Sequence, residues 1–165
     1  MTRIGLISDT HSYLDPLVFD YFENCDEIWH LGDIGSESII TELQNFKPLR
    51  VVYGNIDTPY LQKTLPEVDV FDLEGLKVML IHIGAIPPRY NPKIKALLKK
   101  HSPNLFLCGH SHILKVIKDP NTVGLVYINP GAAGKHGFHH VRTLMKMELH
   151  DGKVVNLEVN ELGKR

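Results

Sequence analysis

The chain is poor in cysteine, in excess charge of either sign and in long apolar runs, and each shortage closes off a class of protein. Its two cysteines, Cys25 and Cys108, lie far apart with no partner at metal-knuckle spacing. Both are expected as free thiols in a reducing compartment, with a disulfide between them as the less favoured alternative. Lys and Arg number 18 against 19 Asp and Glu, a formal charge of -1. No polyelectrolyte surface results, so a long nucleic acid is not an expected partner. No apolar run approaches membrane-spanning length, and the opening MTRIGLISDTH turns polar too soon for a signal peptide. A soluble, cytoplasmic protein without membrane association is expected.

What the chain does have is 165 residues, 43% of them apolar, enough for one globular domain over residues 1–165 with a sizeable core. Ile4 to Ser8 reads as a buried strand and Asp15 to Asn24 as a helix with Leu17, Val18, Tyr21 and Phe22 on one face. A strand at Glu27–Leu31, a helix at Ser36–Phe46 opened by a capping Ser, and a strand at Leu49–Tyr53 repeat the alternation. Beyond Pro59 the pattern loosens, with a strand near Val68–Phe71, a Glu74-Gly75 turn and a strong strand at Lys77–Ile83. Pro87, Pro88 and Pro92 enforce a loop, Lys93–Lys100 reads as a helix and Leu105–Cys108 as a buried strand. The last third reads as strands near residues 114–118, 123–128, 144–149 and 154–159. This order predicts an α/β fold, an αββα four-layer sandwich of two mixed β-sheets flanked by helices, rather than one doubly wound sheet.

Five of the apolar runs end at or near side chains able to hold a metal: Asp9 and His11, Asp33, Asn55, His82, and His110 with His112. Ligands at the carboxyl ends of successive strands converge on one rim of a sheet. Asp9 and His11 are alternate residues leaving a strand and point the same way; His110 and His112 repeat the spacing behind a flexible Gly109. Taken singly, Asp-x-His and Gly-Asn-Ile-Asp are common turns, and His82 inside VMLIHIG reads as a core residue. Their agreement at strand ends is what carries the metal reading. A carboxylate such as Asp33 can bridge two cations, which neutral Asn55 and His82 cannot do. Two divalent ions against two carboxylates leave positive charge for phosphate oxygens, and ions about 3.5–4 Å apart activate a shared water. Oxygen and nitrogen donors without thiolate suit Mn, Fe, Zn or Ni.

The order Asp-x-His, Gly-Asp, Gly-Asn, His, Gly-His-x-His resembles the calcineurin-like metallophosphoesterase superfamily, and the length is similar to its small YfcE-type phosphodiesterases. The resemblance spans Asp9 to His112, with a further similar segment at Asn129-Pro130-Gly131. It implies one ion on Asp9, His11, Asp33 and His112, and a second on Asp33, Asn55, His82 and His110, with Asp33 as the bridge. It further implies a binuclear phosphoesterase, favouring Mn and small phosphodiesters, that acts by attack of a metal-bridging hydroxide. Asp33, Asn55 and His110 would serve catalysis through the metals. The alternative is a protein-binding scaffold with a vestigial metal site, similar to the retromer subunit of this superfamily; a repair nuclease would need a basic surface that is absent.

Two departures from the family pattern stand out. Ile56 occupies the place of a His that follows Gly-Asn in many relatives and protonates the leaving alkoxide, and Ile83 interrupts the His-Gly-His common in close ones. Asp57 is either a turn residue or a group that orients water. The small residues of 129–137 would let backbone N–H groups approach an anion, although the segment is not a nucleotide P-loop. Substrate contacts are expected from Asn55, Lys135, His136 and Arg89, with Tyr90 beside Arg89 a further candidate. His30 is either a support of the site or core; His101, His139, His140 and His150 are expected at the surface. A homo-oligomer is the default for a small enzyme, though no interface pattern argues for one.

Overall fold

Alternation along the strands sorts the apolar side chains into three layers of core. In the computed structural model, which describes residues 1–165, strands β1 (Thr2–Ile7), β2 (Glu27–His30) and β3 (Leu49–Val51) run parallel. Their sheet is completed by β9 (Val141–His150) and β10 (Lys153–Lys164), in the order β10-β9-β1-β2-β3. The second sheet has the order β4-β5-β6-β8-β7, from β4 (Val68–Leu73), β5 (Leu76–Ile81), β6 (Leu105–Leu107), β7 (Leu114–Lys118) and β8 (Val126–Pro130). Here β5, β6 and β8 are parallel while β4 and β7 close the edges antiparallel. Both sheets are therefore mixed, as expected.

Between the sheets lie Ile4, Leu6, Trp29, Leu80, Leu107, Ile128, Met145 and Met147, all buried. Side chains of the opposite pleat, such as Ile7 and Ile28, pack outward with Val18, Phe22, Ile39 and Leu43 of helices α1 (Leu17–Tyr21) and α2 (Glu37–Phe46) and the turn after α1. Met79, Phe106 and Tyr127 do the same on the other sheet against Ile94 of α4 (Pro92–His101). The result is the αββα sandwich.

Local chemistry sets the helix ends. Ser36 and Asn91 accept hydrogen bonds from Ser38 N and Ile94 N, Pro92 opens α4, and Lys99, Lys100 and His101 face its negative end. The sequence pattern gives no element between Pro59 and Val68, whereas the structure has helix α3 (Pro59–Thr64), capped by Thr58. It buries only Leu61, too little for a periodic signal. Helix α1 is shorter than the expected span over 15–24, because the chain turns through residues 22–24 to reach β2. The hairpin of β4 and β5 turns at Glu74-Gly75 as expected, both at positive φ. Both cysteines are free and buried.

Candidate metal centre

The carboxyl ends of β1, β2 and β3 in one sheet and of β5, β6 and β8 in the other meet along one rim, and every expected ligand stands just beyond one of the first five. Ten non-glycine residues have positive φ, and five of them are Asp9, His11, Asp33, His110 and His112. A left-handed backbone costs energy in an L-residue, so the fold holds these side chains at the rim against their local preference. Two glycines allow the loops to close. A Cβ on Gly54 would overlap the backbone and carboxylate of Asp33, and one on Gly109 would lie 2.7 Å from Asp9 Oδ2.

The donors fall into two groups. Asp9, His11 and His112 form one and Asp33, His82 and His110 the other, with ligand atoms of each group within 4.8 Å of one another. Asn55 joins the second, its Oδ1 at 3.1 Å from His82 Nε2 and 3.0 Å from His110 Nδ1. Asp33 faces both: Oδ1 is 3.2 Å from His82 Nε2 and Oδ2 is 3.6 Å from His11 Nε2. The structure thus brings together all seven expected ligands.

Hydrogen bonds to the outer ring nitrogens fix the tautomers, assigned here from which partners can only accept. The Leu31 carbonyl accepts a hydrogen bond from His82 Nδ1 at 2.7 Å, which keeps the ring proton there and leaves Nε2 with its lone pair toward Asn55 and Asp33. His139 Nε2 donates to the Gly134 carbonyl at 2.8 Å, so its Nδ1 accepts from His112 Nδ1 at 3.1 Å. That leaves His112 Nε2 bare, facing Asp9 Oδ1 at 3.2 Å, where two acceptors meet. Consistently, Asp9 Oδ1 and His11 Nε2 are buried without a hydrogen-bond partner. Orphaned buried polar atoms are costly, and a cation would satisfy Asp9 Oδ1 and, with the ring proton on Nδ1, His11 Nε2, so the residues fit a metal. Burial alone would lower the His82 pKa, yet the Asp33 hydrogen bond, the charges of Asp9 and Asp33 and the Leu31 carbonyl together raise it. Without an ion, His82 is thus where a proton substitutes for one. Asp33 is likewise drawn toward the neutral form by burial, but His82, Ile56 N–H and His11 outweigh this and lower its pKa.

Sequence reasoning missed part of the support. His139, expected at the surface, is half-buried between Gly134 and His112; no periodic pattern marks it. His30 links two ligand loops: Gly32 N–H donates to its Nδ1, its Nε2 donates to Thr10 Oγ1, and that hydroxyl donates to the Ile34 carbonyl. Burial lowers its pKa to about 4, so it acts as a neutral strut. Asp57 is a brace, its two oxygens accepting from Gly35 N and Gly54 N. Asn129 donates to the Gly109 carbonyl and Ser111 Oγ, which pins the loop bearing His110 and His112.

The expectation that the 129–137 backbone approaches an anion fails at residues 131, 133 and 134, whose N–H groups are engaged within the protein. Gly131, Ala133 and Gly134 donate their N–H groups to Asn129 Oδ1, the Ser8 carbonyl and the Asp9 carbonyl, so the loop ties β8 to β1. Of its side chains, His136 lies 4.9 Å from His11 between ring centroids, while Lys135 sits over the Tyr13 ring at 4.2 Å. Arg89 lines a cleft that also includes His110. Tyr90 is turned away, its hydroxyl donating to Asp119.

A two-sheet α/β fold with clustered nitrogen and oxygen donors at its rim defines a candidate metalloprotein. Residues 2–152 match the calcineurin-like phosphoesterase superfamily domain, and the chain belongs to that superfamily, whose members use divalent metals. It is 33% identical over 136 residues to a probable metallophosphoesterase of Methanothermobacter thermautotrophicus, covering 78% of this chain and 76% of that protein. A second probable metallophosphoesterase, from Mycoplasma pneumoniae, is 31% identical over 140 residues, covering 80% and 79%. Among solved structures, an archaeal phosphodiesterase superposes with TM-score 0.74 at 20% identity, covering 97% of this chain and 99% of that one. Vacuolar protein sorting 29 of Cryptosporidium parvum gives 0.72 at 21% identity, covering 99% and 98%. At these identities the structural likeness shows the fold alone.

Proposed function

We propose that the chain is a binuclear metal-dependent phosphoesterase acting on small phosphodiesters. The observation that carries this reading is the pair of orphaned buried atoms, Asp9 Oδ1 and His11 Nε2, inside two donor groups that Asp33 faces on both sides. Asp9, His11, Asp33 and His112 would hold one ion, and Asp33, Asn55, His82 and His110 the other. The thiolate-free donor set suits Mn, Fe, Zn or Ni, and the resemblance to Mn-dependent small members of the superfamily favours Mn. When bound, such ions lower the pKa of a shared water and offset phosphate charge.

The chain's own residues do the rest. Asp33 turns one oxygen to each donor group, and Leu31, Gly134 and His139 hold the ring protons of His82 and His112 away from it. Asn55, His110 and Arg89 border the place where a phosphoester would lie, and His136 stands beside His11 as a group able to hold a proton on a departing oxygen. Ile56, 45% exposed, offers none at its edge. Lys135 would reach a phosphate only by leaving the Tyr13 ring.

Chelator-treated protein should not hydrolyse bis(p-nitrophenyl) phosphate, and restoring Mn should return turnover with two ions bound. Two bound ions without turnover of this or related esters would favour the scaffold reading, which the exposed Ile113, Leu114 and Val116 along edge strand β7 and its approach support. Failure to bind any ion would remove the site.

The His139 relay yields a separate expectation. His139→Ala frees His112 to move its proton to Nε2, so metal affinity measured by titration calorimetry should fall about ten- to hundredfold. His140→Ala, whose side chain is exposed, should leave it unchanged.

A further inference from the structure

Beside His110 the rim opens into a cleft of about 530 Å³ between the segment following β5 and the loop following β6. Its walls include Ile83, Ile86, Pro87 and Pro88, with Arg89 and His110 as the charged or titratable groups on its border. Several of the polar atoms behind these walls are already engaged. Tyr127 contributes its ring while its hydroxyl accepts from Cys108 Sγ at 3.0 Å. The Ile86 carbonyl accepts from Arg89 N, the Gly109 carbonyl from Asn129, and Gly109 N donates to the His82 carbonyl. Ser111 Oγ accepts from Ile113 N and from Asn129.

We propose that this cleft receives one ester substituent of the substrate, and that the substituent is a planar aromatic group, an aryl ring or a nucleobase. The assignment rests on the phosphoesterase reading and names the substrate class of that site. Four observations carry it. The cleft is continuous with His110, so a phosphorus held at the donor groups would place a substituent directly into it. Its volume lies in the range that encloses a small-molecule ligand. Its exposed lining is mostly carbon, so a sugar or polyol lodged there would recover little of the hydration it loses. Arg89 distinguishes an aromatic from an alkyl occupant, since a guanidinium at the border stacks on a π-face and gains nothing comparable from a methylene chain.

The test uses p-nitrophenyl phosphodiesters that share a leaving group and differ in the second ester: methyl, n-hexyl, phenyl and thymidine-5′. With the Mn-loaded protein, kcat/KM for the phenyl and thymidine esters should exceed the methyl ester roughly ten- to hundredfold, mainly through KM. The hexyl ester should fall well below phenyl. Ile86→Glu should shrink the phenyl-to-methyl ratio toward one. Equal rates across the series, or hexyl equal to phenyl, would overturn the aromatic assignment. A second measurement is independent of turnover and of the variant's folding: isoleucine methyl NMR of the Zn-loaded wild-type chain titrated with phenylphosphonate and methylphosphonate. The Ile83 and Ile86 methyls should shift with the phenyl probe and not with the methyl probe; no selective shift would overturn the proposal. If no ester is turned over yet those methyls respond to phenylphosphonate, the cleft stands and the phosphoesterase reading falls.

Discussion

Asp33→Asn should lower Mn-dependent kcat/KM about a thousandfold, a loss of several kcal/mol of charge stabilisation. The argument is geometric. Oδ1 is 3.2 Å from His82 Nε2 and Oδ2 is 3.6 Å from His11 Nε2, so one side chain serves both donor groups. An amide keeps one oxygen and replaces the other with an N–H₂ donor, which repels a cation where the carboxylate attracted it. Calorimetry should show the variant losing at least one of two sites. The fold should survive, because an Asn oxygen can still accept from Ile56 N, as Asp33 Oδ1 does at 3.1 Å. Far-UV circular dichroism and a cooperative melt of the metal-free variant check that. Full turnover in Asp33→Asn would refute a bridging role and with it the two-ion reading.

The ligand positions were legible because each follows an apolar run, and a polar donor straight after a buried strand has few places to go except the strand's carboxyl end. The αββα layering was legible from the helix and strand order for the same reason, since amphipathic helices must cover the outer faces of the sheets. Which strands pair was not. Strand β9 returns across more than a hundred residues to lie against β1. Alternating apolar residues set a strand's face, and not its partner. The supports of the site were hidden too. His139 reaches His112 across 27 residues and His30 reaches Thr10 across 20, contacts that no local pattern announces. Asp57 looked like a turn residue and is one, yet the N–H groups it accepts belong to two ligand loops.

The same long-range closure makes Arg142→Ala the substitution with the largest expected effect on stability. Arg142 in β9 is 6% exposed and uses its guanidinium three ways. Nη1 donates to Asp15 Oδ2 at 2.7 Å, Nη2 to the Leu162 carbonyl at 2.8 Å and Nε to the Lys164 carbonyl at 3.0 Å. It thereby ties the end of β10 and the entry of α1 to one strand, and Asp15 also accepts from Leu17 N at the start of that helix. Removing the guanidinium strands a buried carboxylate, which costs about 3 kcal/mol for a pair lying just beneath the surface. Burial pushes the Asp15 pKa up, but the Arg142 hydrogen bond and charge, Leu17 N–H and Lys135 together bring it below its usual value. A depressed carboxylate contributes stability that is fully present above its unfolded pKa of about 3.9 and is lost as pH falls through the lower folded value. Urea unfolding of the metal-free chain should therefore show the full difference between wild type and Arg142→Ala at pH 7, and a narrowing one below about pH 4, where wild type loses the pair's contribution. Asp15→Asn should also destabilise at pH 7, and Asp15→Asn with Arg142→Ala should cost less than the two singles added, because the second change removes a partner that the first has already stranded. Strict additivity across that cycle would show that Arg142 acts through the β10 carbonyls alone.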